Sequence, residues 1–393
     1  MSNVVQARKK LQETWYKFLA KNSKKFVTKV LYGATPPSIF VGEYGYPKIA
    51  LGPMVPPIPG DTSIFDNPEL WSGLPFEQVV TYKINLIRGI VKQRIDDLSG
   101  RYMDQLREIA MSERPIDSVM TLDKEPKNEL HFNKQGDYSP SLLTAPLNDL
   151  KISSITTDKR IEKKFEDTSL LASDAIIELY LSGVPVSKIS RVLSIGLIGT
   201  SNKRKLVPSK WSITATDDVI SGHLKRKIIV YPQIDCYEVY FFEHLYNLYC
   251  VILIPDSLSN FEMIEAWIDE KGCITIQSDC ESLKRINHDP KIAGAYFAGK
   301  LAVEEHLDFR RRSSSAIIFR EVRPEYVMPL GVWQVREGIR SSLKQICLKF
   351  DSISSAVLYA TSRTSLSKIE WISTSKILKN LIMQSKISDY VEN

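Results

Sequence analysis

The chain has 393 residues, 43% of them apolar and 25% charged, with a formal net charge of +6. That length allows two or three domains with sizeable cores, and the proportions exclude a disordered or collagen-like chain. No stretch approaches the ~18 apolar residues needed to span a bilayer, and no signal-peptide pattern opens the chain, so a cytoplasmic protein without a membrane partner is expected.

The charge is unevenly placed. Arg8, Lys9, Lys10, Lys17, Lys21, Lys24, Lys25 and Lys29 stand against Glu13 alone in the first thirty residues, which leaves the rest of the chain close to neutral. Residues 4–22 carry Val4, Ala7, Leu11, Trp15, Phe18 and Leu19 at three- and four-residue steps, which predicts an amphipathic helix. A basic arm of this kind suits a polyanion such as DNA, with Lys9 and Lys10 as candidate phosphate contacts and the nucleoid as the expected location. A solvated lysine-rich helix face is the alternative.

Next comes a Gly/Pro-rich segment over 41–60, whose composition permits short extended pieces and turns. Residues 77–111 show helical spacing, and 112–150 are polar and broken by Pro115, Pro126, Pro140 and Pro146. These features predict an amino-terminal region over 1–111, a linker or surface excursion over 112–150, a core over 151–380 and a tail over 381–393. Within the core, 172–182 and 186–195 suggest a helical pair. Strand-like runs follow at 227–231, 236–242, 248–254, 261–268 and 273–277, with a hairpin turn at 269–272. Residues 290–306 and 332–350 look helical, with a strand over 316–322 between them. Closely spaced strands imply an α+β class: a largely antiparallel sheet in the second half, flanked by helices, after a helical amino-terminal part.

All five cysteines lie after position 235 without C-x-x-C spacing, so reduced thiols and no zinc are expected. Gly294–Lys300 matches the phosphate-loop pattern G-x-x-x-x-G-K, but Leu301 stands where Ser or Thr is required and the segment reads as helix. Pro255-Asp256 with Asp269-Glu270-Lys271 imitates a metal-dependent nuclease triplet, although the second part falls in the predicted turn. Asp217 and Asp218 follow Trp211-Ser-Ile-Thr-Ala-Thr and lie near Lys205 and Lys210, a pairing that can place a metal such as Mg or Mn beside phosphate. The competing reading makes Thr216 or Asp217 the cap of a helix over 219–224. Arg320 and Arg336 are further candidate phosphate ligands, and Glu337 joins Asp217 and Asp218 as a candidate catalytic carboxylate.

The end of the chain is the most legible part. Gln384, Ile387, Tyr390 and Val391 fit Q-x-x-(aliphatic)-x-x-(aromatic)-(aromatic or apolar), the peptide that docks on replication sliding clamps. One short helical turn sets Ile387 and Tyr390/Val391 as an apolar plug with Gln384 beside it. Val391 replaces a usual second aromatic, which reduces the buried area.

Several long segments carry a family resemblance: Gly42-Glu-Tyr-Gly-Tyr-Pro47, Leu51-Gly-Pro53, Asn67-Pro-Glu-Leu-Trp71, residues 206–218, residues 320–337 and the terminal peptide. With these the chain resembles the archaeal Nre (novel repair enzyme) family over most of its length. The resemblance implies a role in archaeal DNA repair with the sliding clamp (PCNA). Some members have an amino-terminal cysteine cluster suited to zinc, which this sequence lacks. Three classes stay open: a metal-dependent nuclease, a nucleotide-binding or nucleotide-processing enzyme using Lys210, Arg320 or Arg336, and a non-catalytic adaptor.

Overall fold

A computed structural model describes residues 28–128, 143–256, 259–281, 291–326 and 330–383. The expected helix over 4–22, Lys9, Lys10 and the clamp peptide from Gln384 to Val391 lie outside the described residues. The chain divides into two compact units at about residue 220, with a short return of 330–331 to the first.

In the amino-terminal unit the strands are Val30–Thr35 (β1), Ile39–Val41 (β2) and Lys48–Val55 (β3). Helix Phe76–Asn85 (α1), strand Ile87–Arg94 (β4) and helix Arg101–Met111 (α2) follow. Then come Ile116–Leu122 (β5), Lys127–Asn128 (β6), Leu143–Ile152 (β7), Lys159–Glu166 (α3), Ala172–Leu181 (α4) and Val186–Ser194 (α5). Helix Ser209–Ile228 (α6) begins in this unit and ends in the next. The sheet order is β1-β5-β7-β4-β3-β2, with β6 beside β7. Only the β4/β7 pair among these is parallel.

This sheet corrects the expectation of a helical amino-terminal part. Helical spacing over 77–111 is interrupted by β4, where Ile87, Ile90 and Val91 supply the β-branched side chains of a central strand. Residues 112–150 are not a bare connection either, because β5 and β7 sit inside the sheet. Pro146 is accommodated within β7, opposite Ile90. The close approach of β3 to β4 also explains one glycine: a Cβ on Gly52 would stand 1.6 Å from the Gly89 carbonyl oxygen.

The carboxyl-terminal unit contains Tyr237–His244 (β8), Asn247–Ile254 (β9), Phe261–Ile268 (β10), Ile274–Glu281 (β11), Gly294–Arg310 (α7) and Ser315–Val322 (β12). Trp333–Ser342 (α8), Leu348–Phe350 (β13), Ile353–Ser362 (α9), Lys368–Thr374 (α10) and Lys376–Met383 (α11) complete it. The sheet order β11-β10-β12-β9-β8-β13 is antiparallel except for the β10/β12 pair. The α+β class therefore holds.

Every residue of β9 and β12 is buried, as expected of strands covered on both faces. One face meets α7 and α8. Gly299 of α7 lies against Met263 and Ile318, and Gly338 of α8 is so close to the Tyr249 ring that a Cβ would fall 2.3 Å from it. The other face meets α9, α10 and α11 through Ile252, Ile264, Phe319, Val357, Trp371 and Leu378. Phe319 and Trp371 stack with centroids 4.4 Å apart.

Two buried carboxylates secure the helices on that second face. Glu321 accepts from the Ser365 amide at 2.6 Å and its hydroxyl at 2.9 Å. Glu262 accepts from the amides of Lys376 at 2.7 Å and Ile377 at 3.1 Å, and from the Ser375 hydroxyl. These are unsatisfied donors of the first turn of α11, so the carboxylate works as a cap supplied by the sheet.

Two other expectations change. The strand over 227–231 is absent because α6 continues through Ile228, and only the first part of 332–350 is helical before β13. The hairpin at 269–272 is present: Gly272 takes φ +79° and Asp269 accepts from the amides of Lys271 and Cys273, each at 2.8 Å.

Candidate functional site

Helix α6 carries the carboxylates singled out in the sequence. Its buried residues recur at four-residue steps: Ser212, Thr216 and Ile220, then Leu224 and Ile228. The stripe is polar in its first half and apolar in its second, which hides the helix start from a pattern search. Thr216 and Asp217 are accordingly mid-helix residues and not caps. Asp217 is buried and Asp218 exposed, since adjacent helical positions point about 100° apart. Among the described residues there is no group of three or more His, Cys, Asp or Glu side chains suited to a metal ion.

The start of α6 does gather sequence-predicted residues. The Val41 amide donates to Ser209 Oγ at 3.1 Å. The Ile95 amide donates to the Pro47 carbonyl at 3.0 Å, and the Leu206 amide to the Ile95 carbonyl at 2.8 Å. These bonds lay the turn of 42–48 alongside 205–211, so two segments of the family resemblance that are distant in sequence form one corner. Lys48, Lys205 and Lys210 are exposed there, with Lys210 Nζ 3.9 Å from Glu43. Tyr44, Tyr46 and Trp211 are 81%, 49% and 47% exposed, and the Tyr46 and Trp211 rings lie 5.7 Å apart. These three aromatics were not marked as site residues in the sequence, because their juxtaposition exists only after folding.

In the carboxyl-terminal unit, Arg320 lies on the α7/α8 face of the sheet, toward the carboxyl ends of parallel β10 and β12. It is fully buried, donating from Nη1 to Glu265 Oε1 at 2.6 Å and from Nε to Asn247 Oδ1 at 2.9 Å. The Trp267 ring centroid lies 5.3 Å from its guanidinium carbon. Tyr249 donates to the Gln334 carbonyl at 3.2 Å and Tyr326 donates to Gln334 Oε1, tying α8 to this polar layer. Arg336, 1% exposed, lies 3.6 Å from Glu337, and Glu337 accepts from Arg340 at 2.7 Å. Arg340 also makes two bonds of 2.7 Å to Glu305 of α7. Arg336 and Glu337 thus belong to a chain of ion pairs between α7 and α8.

The other patterns resolve cleanly. Gly294–Lys300 is continuous helix, and Lys300 pairs with Glu281 at 2.6 Å. Asp256 accepts from Ser315 Oγ at 2.6 Å near the start of β10, whereas Asp269 follows its end. An eight-residue strand separates the two halves of the nuclease-like triplet by roughly 25 Å. All five cysteines are free thiols.

A titratable group missed in the sequence lies beside Lys300. Glu304 of α7 is buried among Lys300, Lys225, Glu281 and Tyr296, and accepts from Ser221 Oγ. Burial pushes its carboxyl up from an ordinary 4.5 to about 7, against the pull of Lys300 and Ser221. The unfolded chain therefore releases this proton first as pH rises. Stability linked to Glu304 is retained below about pH 4.5 and lost progressively toward pH 7. Glu304→Gln is expected to remove roughly 2–3 kcal/mol of the stability decline between pH 5 and pH 8. Urea unfolding at the two pH values checks this, and parallel declines in the variant and the parent would refute it.

Comparison with known proteins supplies the class. Residues 8–271 match the family described as archaeal Nre, N-terminal, and residues 281–390 match archaeal Nre, C-terminal. The chain belongs to the archaeal Nre family. It is 34% identical over 360 residues to the DNA repair protein NreB of Archaeoglobus fulgidus, covering 90% of each chain. It is 30% identical to NreA of the same organism over 84% of each chain. With the DNA repair protein NreA of Haloferax volcanii it shares 31% identity, over 80% of this chain and 78% of the other. No solved structure matches it.

Proposed function

We propose that this chain is a DNA-repair protein that docks on the replication sliding clamp through Gln384, Ile387, Tyr390 and Val391 and contacts DNA with its basic residues. The observation that carries the reading is similarity along 78–90% of the length of relatives named DNA repair proteins. The terminal peptide supports the clamp as partner, and the basic first thirty residues with exposed Lys205 and Lys210 support DNA. On this reading the protein works in the cytoplasm at the nucleoid. No helix among the described residues is long and apolar enough to cross a membrane.

Phosphate contacts release counterions, so affinity for duplex DNA is expected to fall steeply as salt is raised. Deleting residues 1–27 is expected to weaken binding and flatten that slope in a fluorescence-anisotropy titration at several salt concentrations. Salt-independent binding, or an equal slope for the truncated protein, would count against the DNA contact.

A further inference from the structure

The corner formed by the turn of 42–48 and the start of α6 has a composition that the fold does not require. Three large aromatic side chains stand in water on adjacent segments: Tyr44, Tyr46 and Trp211. Single exposed apolar residues are ordinary, but a cluster of rings with polar surroundings marks a binding surface. The backbone holds them there. Gly45 takes φ +86°, and a Cβ on it would stand 2.7 Å from the Lys48 carbonyl oxygen, so glycine serves the turn that separates the two tyrosines. Trp211 is fixed at the start of a 20-residue helix, which is bonded to β2 through Ser209.

The charge around the rings selects the occupant. Lys48, Lys205 and Lys210 are exposed on the same two segments, with Glu43 beside Lys210. Arg94, which faces Lys48 across β3 and β4, is balanced by Asp96. The surplus is positive. Aromatic faces interleaved with lysines suit a chain that alternates flat apolar rings and negative charges, which is the chemistry of a single-stranded nucleic acid. A duplex offers phosphates but keeps its base faces stacked inside, so it uses the lysines and leaves the rings idle.

We infer that Tyr44, Tyr46 and Trp211 form a stacking platform for unpaired bases, with Lys48, Lys205 and Lys210 on the flanking phosphates. This deepens the proposed DNA contact and rests on it: the platform names the strand state of the DNA that the protein holds. A tilted ring pair such as Tyr46 and Trp211, at an interplanar angle of 44°, can take one base against each exposed face.

The test is a titration of the full chain with a dodecamer of thymidylate and with a duplex of equal length, at low salt. Stacking on Trp211 is expected to quench tryptophan fluorescence with the single strand. Trp211→Ala is expected to lower single-strand affinity about tenfold or more, and Tyr44→Ala by a similar factor. Trp211→Phe keeps a ring and should retain most of the affinity, and duplex affinity should be nearly unchanged in all three. Thermal unfolding followed by circular dichroism identifies a variant that has lost its fold, for which Trp211→Phe and Tyr44→Ala then serve. Equal single-strand affinity in parent and alanine variants, with duplex binding intact, overturns the platform and leaves the DNA contact standing. Failure to bind either DNA overturns both. Loss of clamp binding in Trp211→Ala with unchanged DNA binding would give the corner to a protein partner and overturn the platform as well.

Discussion

Replacing Gln384, Ile387 and Tyr390 together with alanine is expected to abolish measurable clamp binding while the melting temperature stays that of the parent. Ile387 and Tyr390 are the large apolar side chains of a peptide that has little other area to bury. Each withdraws about 1.5–3 kcal/mol of transfer free energy when seated in a pocket. Losing both removes about 3–6 kcal/mol, a factor of about 150 to about 20,000 in affinity. Gln384 adds a hydrogen bond beside the pocket, and its loss acts in the same direction. Titration calorimetry with an archaeal sliding clamp gives the answer directly. Undiminished binding by the triple variant would end the clamp reading, whereas the family assignment would be untouched.

Truncating Arg320 to alanine is expected to have the largest effect on the fold. The guanidinium is completely buried and engages Glu265 and Asn247 at 2.6 and 2.9 Å. Removing it leaves the Glu265 carboxylate buried without its cation, a loss of about 3–5 kcal/mol for pairs of this kind. Replacing both members by apolar residues of similar size, as in Arg320→Met with Glu265→Leu, should recover most of that loss, because no charge is then stranded. Denaturant midpoints for the single and double variants decide the matter. A single variant within 1 kcal/mol of the parent, or a double variant no better than the single, would show that the pair does not organise this layer.

These two expectations draw on parts of the chain that were unequally legible. The strands β8 to β12 were readable because Tyr, Phe, Val and Ile dominate them and Gly272 marks the turn between two of them. The amino-terminal sheet was not. Its strands β5 and β7 are bordered or interrupted by Pro115 and Pro146, and residues at 117, 149 and 151 face outward with charge, so local composition imitated a linker. Only pairing with β1, β4 and each other makes strands of them. Helix α6 was hidden by Ser-Ile-Thr-Ala-Thr, a run whose β-branched and hydroxyl side chains favour other conformations when isolated.

The candidate sites divide in the same way. Lys205 and Lys210 could be marked because lysines cluster in the sequence around them, and both are exposed. Arg320, Arg336 and Glu337 were marked by charge alone, and the structure places each in a buried pairing that no local pattern encodes. The contact of Tyr46 with Trp211 joins positions about one hundred and sixty-five residues apart, and Glu304 owes its raised proton affinity to a burial that exists only in the folded chain.

The sheet-supplied cap on α11 has a mechanical consequence. Glu262 grips the first turn of that helix, and Met383, its last described residue, directly precedes Gln384 in the sequence. On the clamp reading, the docking peptide begins in the sequence directly after that helix. Eight residues from Met383 to Val391 reach at most about 28 Å even when fully stretched. On that reading, a protein moored this tightly would hold to the DNA that emerges beside the ring, at a high effective local concentration, and give up longer excursions along the strand. Lengthening the mooring with a flexible insert after Met383 would trade that concentration for range.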